Sequence, residues 1–249
     1  MFRLLRLRPP HGWNAVAWEL AIVVLGVLIA LAAQQWAEER SWAGKVRQST
    51  ATIRDEVANH YAWSVEWRVV EPCILAQIDA LHRRVMESGD RLEPAPTFDD
   101  NNFRYVLRLP SKEYSSSAWN AAQLDGVTSR LDPDLRRELS SHYEQVRIAS
   151  ELTERNGVDY RKALTLSYPL RLDPSVRYSI LTTLDELRGR AEFVDIESGQ
   201  MIDHVTRMGM IPPAQRVRAD VERYGTYQFC KKHGLPMRPY AAAMRPVAN

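Results

Sequence analysis

An unbroken apolar segment near the N-terminus constrains this chain more than any other feature of its sequence. Residues 20–33 contain no polar side chain at all. The wider segment 15–36 has the length, about 17–25 residues, that a membrane-spanning helix needs. Trp18 and Trp36 lie at its two ends, roughly 27 Å apart along a helix that rises about 1.5 Å per residue, and tryptophan prefers the headgroup level. The sequence therefore predicts a transmembrane helix over residues 15–36.

The one charged residue of this segment, Glu19, does not prevent insertion. A carboxylate at the centre of a spanning helix costs about 2.5–3.5 kcal/mol, whereas each large apolar side chain returns about 0.3–0.6 kcal/mol. Nine such side chains lie between Leu20 and Leu31, so they return about 3–5 kcal/mol in total. We interpret Glu19 as an interfacial carboxylate beside Trp18; contact with a partner helix is the alternative. Together with Gly26 and Trp36, these are the predicted anchor residues.

Two other interpretations of the apolar segment remain open. Ala30-Leu31-Ala32 resembles the cleavage site of a signal peptide, although the helical pattern continues through it without a turn residue. The segment also has the composition of a buried core helix in a soluble protein. The flanking tryptophans and the basic N-terminus favour a membrane span over both.

Several stretches resemble a known family. They are Trp13–Val16, Glu19–Ile29, Gln35–Arg40, Ser117–Asn120 and Leu131–Arg136. Together they are similar to the domain of unknown function shared by a family of uncharacterised bacterial single-span membrane proteins. The resemblance implies a membrane-anchored helical protein and implies no activity.

The orientation of the span follows from its N-terminal flank. The tail 1–14 carries Arg3, Arg6 and Arg8 and no acid, but three basic residues, Arg40, Lys45 and Arg47, also follow the span within 15 positions. The positive-inside rule is therefore evenly balanced. A short basic tail before an apolar segment is typical of an uncleaved signal anchor. We expect a single-pass protein of the bacterial inner membrane, with residues 37–249 in the periplasm.

The helical pattern continues beyond the membrane segment. Spacings of three and four define one stripe, weakened by polar residues, over Ala43, Val46, Thr50, Ile53, Val57, His60, Ser64 and Trp67. This predicts a long juxtamembrane helix over 37–88 that kinks or restarts at Pro72, because proline lacks the N–H of a helical hydrogen bond. Residues 89–116 contain turn-forming Pro and Asp-Asn pairs and are predicted to be an irregular connection.

A helical bundle is predicted over 117–224. Ser115–Ser117 are interpreted as the cap of its first short helix. Arg-Leu-Asp-Pro occurs at 130–133 and 171–174, where Asp suits the N-cap and Pro the first helical position.

An apolar seam follows the second of these helix starts, over Leu184, Leu187, Ala191, Val194, Ser198, Met201, Val205 and Met208. We interpret the seam as packing within the bundle; a homo-oligomeric coiled coil through it is the alternative. Residues 225–249 are predicted to be an irregular tail. The predicted fold class is all-α: a single transmembrane helix that continues into a long helix, followed by an extramembrane helical bundle.

Neither the composition nor the sequence motifs indicate a catalytic, cofactor or nucleic-acid-binding site. The chain has 249 residues and a net charge of +2, which excludes the basic footprint of a nucleic-acid-binding protein. It contains no Gly-x-Ser-x-Gly, His-Glu-x-x-His or Walker motif. His60 is interpreted as a packed or paired core residue and His142 as a residue at the edge of its helix stripe, whereas His204 has no evident partner cluster. We expect no catalytic, cofactor or metal site and no enzyme activity.

The two cysteines, Cys73 and Cys230, allow three interpretations. Cys230 and His233 have the spacing of half a metal site, to which Cys73 adds a third ligand, but no fourth is evident. A Cys73–Cys230 disulfide suits an oxidising compartment. Two separately buried thiols are the remaining alternative.

These observations lead to three function hypotheses. The first is a non-enzymatic, membrane-anchored scaffold or accessory protein that binds another membrane or envelope protein. The second is a ligand-sensing bundle, which would signal through a partner because only about 14 residues precede the span; an enzyme with an unrecognised site is a third possibility. A pocket in the bundle with convergent ionisable groups would favour the ligand-binding or enzyme hypothesis over the scaffold.

Overall fold

The computed structural model describes residues 12–100 and 103–245 and divides into two compact units, Met1–Thr50 and Ala51–Asn249. Helices dominate the described residues, in agreement with the predicted all-α class. They are α1 (Trp13–Glu87), α2 (Ser117–Leu124), α3 (Pro133–Ala163), α4 (Pro174–Arg207), α5 (Ala214–Glu222), α6 (Gly225–Lys232) and α7 (Tyr240–Ala243).

Four very short strands accompany the helices. β1 (Arg91–Leu92) pairs antiparallel with β4 (Leu170–Arg171), and β2 (Phe98–Asp100) pairs antiparallel with β3 (Phe103–Tyr105). Three of the four lie in the connection that was predicted to be irregular. Short 3₁₀ helices occupy Val127–Arg130 and Leu164–Ser167.

In the first unit, the apolar segment forms part of α1 and presents its side chains outward. Trp18 is 69% exposed and Trp36 is 62% exposed, and a Cβ at Gly26 would meet nothing within 4 Å. Among the described residues, one helix, α1, is both long enough and apolar enough to cross a membrane. A core helix of a soluble protein would be buried, so that interpretation does not fit. Arg3, Arg6 and Arg8 lie outside the described residues.

The core of the second unit is formed by the later part of α1 together with α3 and α4. The predicted stripe is buried from Ile53 onwards and continues through Ile74 to Val85. The helices run antiparallel where α4 crosses α1, because Ser64 contacts Met201 whereas Asp79 pairs with Arg188. The bundle therefore includes residues that the sequence had assigned to a separate juxtamembrane helix.

The predicted restart at Pro72 does not occur, because α1 is one helix of 75 residues with Pro72 inside it. Proline supplies no N–H to the carbonyl of Arg68, a loss that costs about 3 kcal/mol in a helix interior. In the same turn, the carbonyl of Val69 accepts a hydrogen bond from the backbone N–H of Arg238 at 2.8 Å. Cys73 and Ile74 are fully buried. Tertiary contacts on both sides of the proline thus offset its local cost.

Both Asp-Pro helix starts are confirmed. The carboxylate of Asp132 accepts hydrogen bonds from the backbone N–H groups of Asp134 and Leu135 at 3.0 and 3.1 Å. Asp173 accepts from the N–H of Val176 at 2.9 Å. The capped helices α3 and α4 pack along each other.

The seam of α4 is covered inside the chain itself. Leu184, Leu187, Ala191, Val194 and Val205 are each no more than 2% exposed. Packing within the bundle accounts for the heptad pattern, and these side chains leave no apolar seam open for a second copy.

The C-terminal segment is more ordered than predicted, since 225–249 contains α6 and α7. Cys230 in α6 forms a disulfide with Cys73 in α1, with their Cα atoms 6.0 Å apart. Arg238 donates to Asp195 at 2.6 Å and to Glu71 at 3.2 Å. These links hold the C-terminal segment in place. The helices α6 and α7 were not predicted because the apolar pattern of this segment is weak. Residues 246–249 lie outside the described part of the chain.

The disulfide is expected to contribute strongly to stability. Its two cysteines are 157 residues apart, so the Cys73→Ala/Cys230→Ala variant is expected to lose about 2–5 kcal/mol of unfolding free energy. Chemical denaturation of the detergent-solubilised full chain measures this loss. Reductant should destabilise the wild type and leave the double variant unchanged. Two free thiols in denatured, non-reduced protein from intact cells would contradict the bond.

Candidate functional site

A buried glutamate of α1 organises the polar interior of the second unit. Glu56 is 8% exposed, and its Oε1 accepts a hydrogen bond from the Tyr143 hydroxyl at 2.8 Å. Its Oε2 accepts from the Ala118 backbone N–H and from the Ser117 hydroxyl, each at 3.0 Å, and from the Ser115 hydroxyl at 3.1 Å. Burial would raise the pKa of Glu56, but these four donors outweigh burial and lower it. Glu56 is therefore a carboxylate whose charge is fully hydrogen-bonded.

The same glutamate supplies the cap of α2. The first turn of a helix leaves backbone N–H groups without partners, and the side chain of the N-cap residue, Ser116, makes no cap hydrogen bond. Glu56 accepts the Ala118 N–H instead, and a carboxylate at a helix N-terminus also interacts favourably with the helix dipole. The serine cap predicted from the sequence is thus completed by a residue about sixty positions earlier in the chain.

Two buried histidines form a hydrogen-bonded pair beside Glu56. His60 Nδ1 lies 3.0 Å from His142 Nε2, and His60 Nε2 donates to the Ser115 carbonyl at 2.8 Å. Burial lowers the pKa of His60 to about 4 and that of His142 well below its usual value. Both rings are therefore neutral at pH 7, with His142 Nε2–H as the donor to His60. The interpretation of His60 as a paired core residue is confirmed, whereas His142 is fully buried rather than at a stripe edge.

A second glutamate of α1, Glu66, lies in an environment that favours the neutral form of its side chain. It is 2% exposed, and burial raises its pKa to about 8, despite the opposing positive charges of Lys112 and Arg108. Glu66 is therefore neutral at pH 7. Two acids ten positions apart in one helix thus carry different charges.

An open pocket of about 770 Å³ lies between the segment 105–114 and the later half of α3. This volume is within the range of small-molecule sites. Aromatic rings of Tyr105, Tyr114 and Tyr160 contribute to its walls, together with two arginines and two glutamates, namely Arg108, Arg161, Glu113 and Glu154. The pocket therefore combines apolar surface with ionisable groups of both signs.

Ring contacts hold one wall of the pocket, and a hydrogen bond to α4 holds the other. On one wall, the Arg108 guanidinium lies over the Tyr105 ring, 4.8 Å from its centroid. The rings of Tyr105 and Tyr160 are 5.7 Å apart. On the α3 wall, the Oδ1 of buried Asn156 accepts a hydrogen bond from Arg190 Nε at 3.2 Å. The α3 wall is in this way tied to α4.

The sequence did not reveal this pocket. Its residues come from a connection predicted to be irregular and from the later half of α3, which is continuous to Ala163. No short motif links the two stretches. The zinc alternative does not fit, because Cys73 and Cys230 are joined in a disulfide and thiolates are the form that binds the metal. His204, without an evident partner in the sequence, lies 2.9 Å from Glu138.

Replacing Glu56 tests the charged cluster. Glu56→Gln is expected to lower the unfolding free energy at pH 7 by about 1–3 kcal/mol, because one of its oxygens becomes an NH₂ group facing hydrogen-bond donors. Since the pKa of Glu56 is lowered, its contribution is present above the unfolded-state pKa and is lost as pH falls through the folded-state pKa. The deficit should therefore shrink in acid. The exposed Glu144→Gln in α3 is the control and should change little.

Replacing Glu66 is expected to raise the unfolding free energy at high pH, whereas replacing Glu56 is expected to lower it at pH 7. Between the ordinary pKa of glutamate and about 8, the folded state retains a proton that the unfolded state releases, so stability falls as pH rises by up to about 1.4 kcal/mol per pH unit. Glu66→Gln removes this fall and should be more stable than the wild type at pH 8, with little difference at pH 5. Urea unfolding at both pH values provides the measurement. Equal pH profiles for the two proteins would contradict a neutral Glu66.

Comparison with known proteins gives no match for this chain among protein-family models, curated proteins or solved structures.

Proposed function

We propose that this chain is a membrane-anchored ligand-binding protein of the bacterial cell envelope, in which the second unit binds a small molecule. The observation that carries the proposal is the pocket of about 770 Å³ with ionisable groups of both signs on its walls. The sequence alone favoured a scaffold. A scaffold needs an exposed surface for its partner, and a shaped pocket lined by tyrosines and charges is better explained by a small ligand.

Binding is favoured over catalysis by what lines the pocket. Histidine and cysteine are absent from the described residues of its walls, so those residues offer no Ser-His or Cys-His pair for covalent catalysis. The Ser150 hydroxyl donates to the Val146 carbonyl in its own helix at 2.9 Å. Among the described residues this hydroxyl donates to backbone carbonyls and not to a carboxylate. We therefore propose that the ligand is bound and not converted.

The location proposed for the protein is the bacterial inner membrane, with the ligand-binding unit in the periplasm. The exposed apolar helix between Trp18 and Trp36 supports the anchor, and a disulfide supports an oxidising compartment. A signal from the bound ligand would pass to another envelope protein. This arrangement agrees with the implied membership of a family of single-span membrane proteins, which remains part of the proposal.

A pair of glycine substitutions tests the pocket. Gly157 lines it, and a Cβ there would come no closer than 3.9 Å to Arg161 Nη1, so a side chain is tolerated. Gly157→Trp should fill the pocket and abolish thermal stabilisation by small molecules found in a screen of the solubilised protein. The matched control is Gly189→Trp in α4, an exposed site where a Cβ would contact nothing within 4 Å. Stabilisation that survives in the Gly157 variant would contradict the proposal.

The anchor has its own test. Full-length protein should stay in the membrane fraction after alkaline extraction, because about 20 apolar residues hold it in the bilayer. Release of intact protein into the soluble fraction would contradict the anchor. A mature N-terminus at Ala33 would show instead that the segment is a cleaved signal peptide.

A further inference from the structure

We propose that the buried His60–His142 pair is a pH switch for the pocket, and that protonation of the pair in acid detaches the wall formed by residues 105–115. The consequence for a bound molecule, its release in acid, rests on the proposed function. Detachment of the wall itself can be measured without a ligand. The proposal comes from where the pair is attached and from the one ring nitrogen that it leaves without a partner.

The pair holds the end of the pocket wall that leads into α2. His60 Nε2 donates to the Ser115 carbonyl at 2.8 Å, and the ring centroids of His60 and Tyr114 are 5.8 Å apart. Tyr114 lines the pocket, and its carbonyl accepts a hydrogen bond at 3.4 Å from Ser150 on the opposite wall. Because His60 belongs to α1 and His142 to α3, the pair also joins these two helices. The position of this wall therefore depends on contacts that include the pair.

The closed pair has no place for an additional proton. In the neutral pair, His142 Nε2–H donates to His60 Nδ1 and His60 Nε2–H donates to Ser115. The remaining ring nitrogen, His142 Nδ1, is buried and has no hydrogen-bond partner among the described residues. A proton there would create a buried, positively charged N–H group without an acceptor, which is costly until the group reaches water. Protonation of the pair is thus coupled to its opening.

The nearest carboxylate does not stabilise a protonated pair in the closed arrangement. Glu56 lies one turn before His60 in α1 and favours a positive charge on that ring. Its oxygens already accept hydrogen bonds from Tyr143 of α3 and from three groups of the segment 115–118. A cation that paired with Glu56 would compete with these donors, which hold the same end of the pocket wall. Such competition would weaken the attachment of the wall.

Groups on the other packed elements also favour the neutral pair. His204 of α4 opposes a positive charge on His142, and the carboxylate of Glu138 already bonds to His204 at 2.9 Å. The phenols of Tyr114 and Tyr143 are neutral at pH 7, because burial raises the pKa of each. Burial lowers the pKa of both histidines. Their contribution to the closed state is therefore complete above the ordinary pKa of histidine, about 6.5, and is lost as pH falls below it.

Amide hydrogen exchange of the full-length solubilised protein measures the detachment. The Ala118 N–H, which donates to Glu56 beside the pair, reports on this end of the wall, and the N–H groups around buried Val194 in α4 report on unfolding of the whole unit. From pH 7 to pH 5, protection of Ala118 corrected for intrinsic exchange should fall at least about tenfold, because each histidine that opens takes up a proton with an ordinary pKa. Glu56 stays charged in this range, since its pKa is lowered.

The reference amides of α4 should remain better protected than Ala118 at both pH values, because detachment of the wall is a local opening. Equal protection of Ala118 and α4 at pH 5 would show that the wall opens only when the whole unit unfolds, and would overturn the proposal. Protection of Ala118 that does not change with pH would overturn it as well.

Substitutions separate the pair from other titrating groups. His60→Gln/His142→Gln removes both titrations and should abolish the fall in Ala118 protection. His82→Gln is the matched control in α1, at a side chain that is 37% exposed, and should keep the fall. Where the melting temperature shows that the double variant is unfolded, His142→Gln alone, which keeps a side-chain N–H for His60, should reduce it. A folded variant with the full pH dependence of the wild type would overturn the proposal.

Release is tested with a screening compound that Gly157→Trp excludes and that does not itself titrate between pH 5 and pH 7. Calorimetry should show at least about tenfold weaker binding at pH 5 for the wild type, as expected when protons favour the open wall, and no such change for the folded histidine variant. Unchanged affinity in the wild type would overturn the switch. Binding at pH 7 that Gly157→Trp abolishes would still leave the proposed ligand-binding function standing.

Discussion

The requirement that buried polar groups find partners governs the second unit of this protein. The later part of α1 turns Glu56, His60 and Gln77 towards the interior, and each of these side chains hydrogen-bonds to a distant part of the chain. Glu56 holds the start of α2 and Tyr143 of α3, His60 holds Ser115, and Gln77 holds the backbone of Arg108. An unsatisfied buried polar group costs about 1–3 kcal/mol, so these contacts fix the connecting segment. That segment is also one wall of the pocket, whose shape therefore depends on polar residues of α1.

Position in the helix does not decide the charge of the two buried glutamates. Four hydrogen-bond donors surround Glu56 and hold it ionised, whereas Glu66 has only the charges of Arg108 and Lys112 to offset its burial. The charge of each glutamate is therefore set by the distant groups that surround it.

The C-terminal segment is attached to α1 in the turn that contains Pro72. Pro72 removes one hydrogen bond from α1, and in the same turn Val69 accepts a hydrogen bond from Arg238. The adjacent Cys73 carries the disulfide to α6, and Glu71 pairs with Arg238. One turn of α1 thus holds three attachments of the C-terminal segment, and α6 and α7 depend on them because their own sequences are too short for independent helices.

Features that depend on neighbours within a few residues could be predicted from the sequence. The exposed apolar helix, the Asp-Pro helix starts, the buried stripe from Ile53 and the seam of α4 all follow from local composition and period, and the all-α class follows from them. Tertiary structure alone decided the continuity of α1 through Pro72, the helices after Gly225, the different charges of Glu56 and Glu66, and the pocket. Each of these features depends on contacts between groups 30 to 170 positions apart. A local sequence pattern does not specify which distant residue will contact a given side chain.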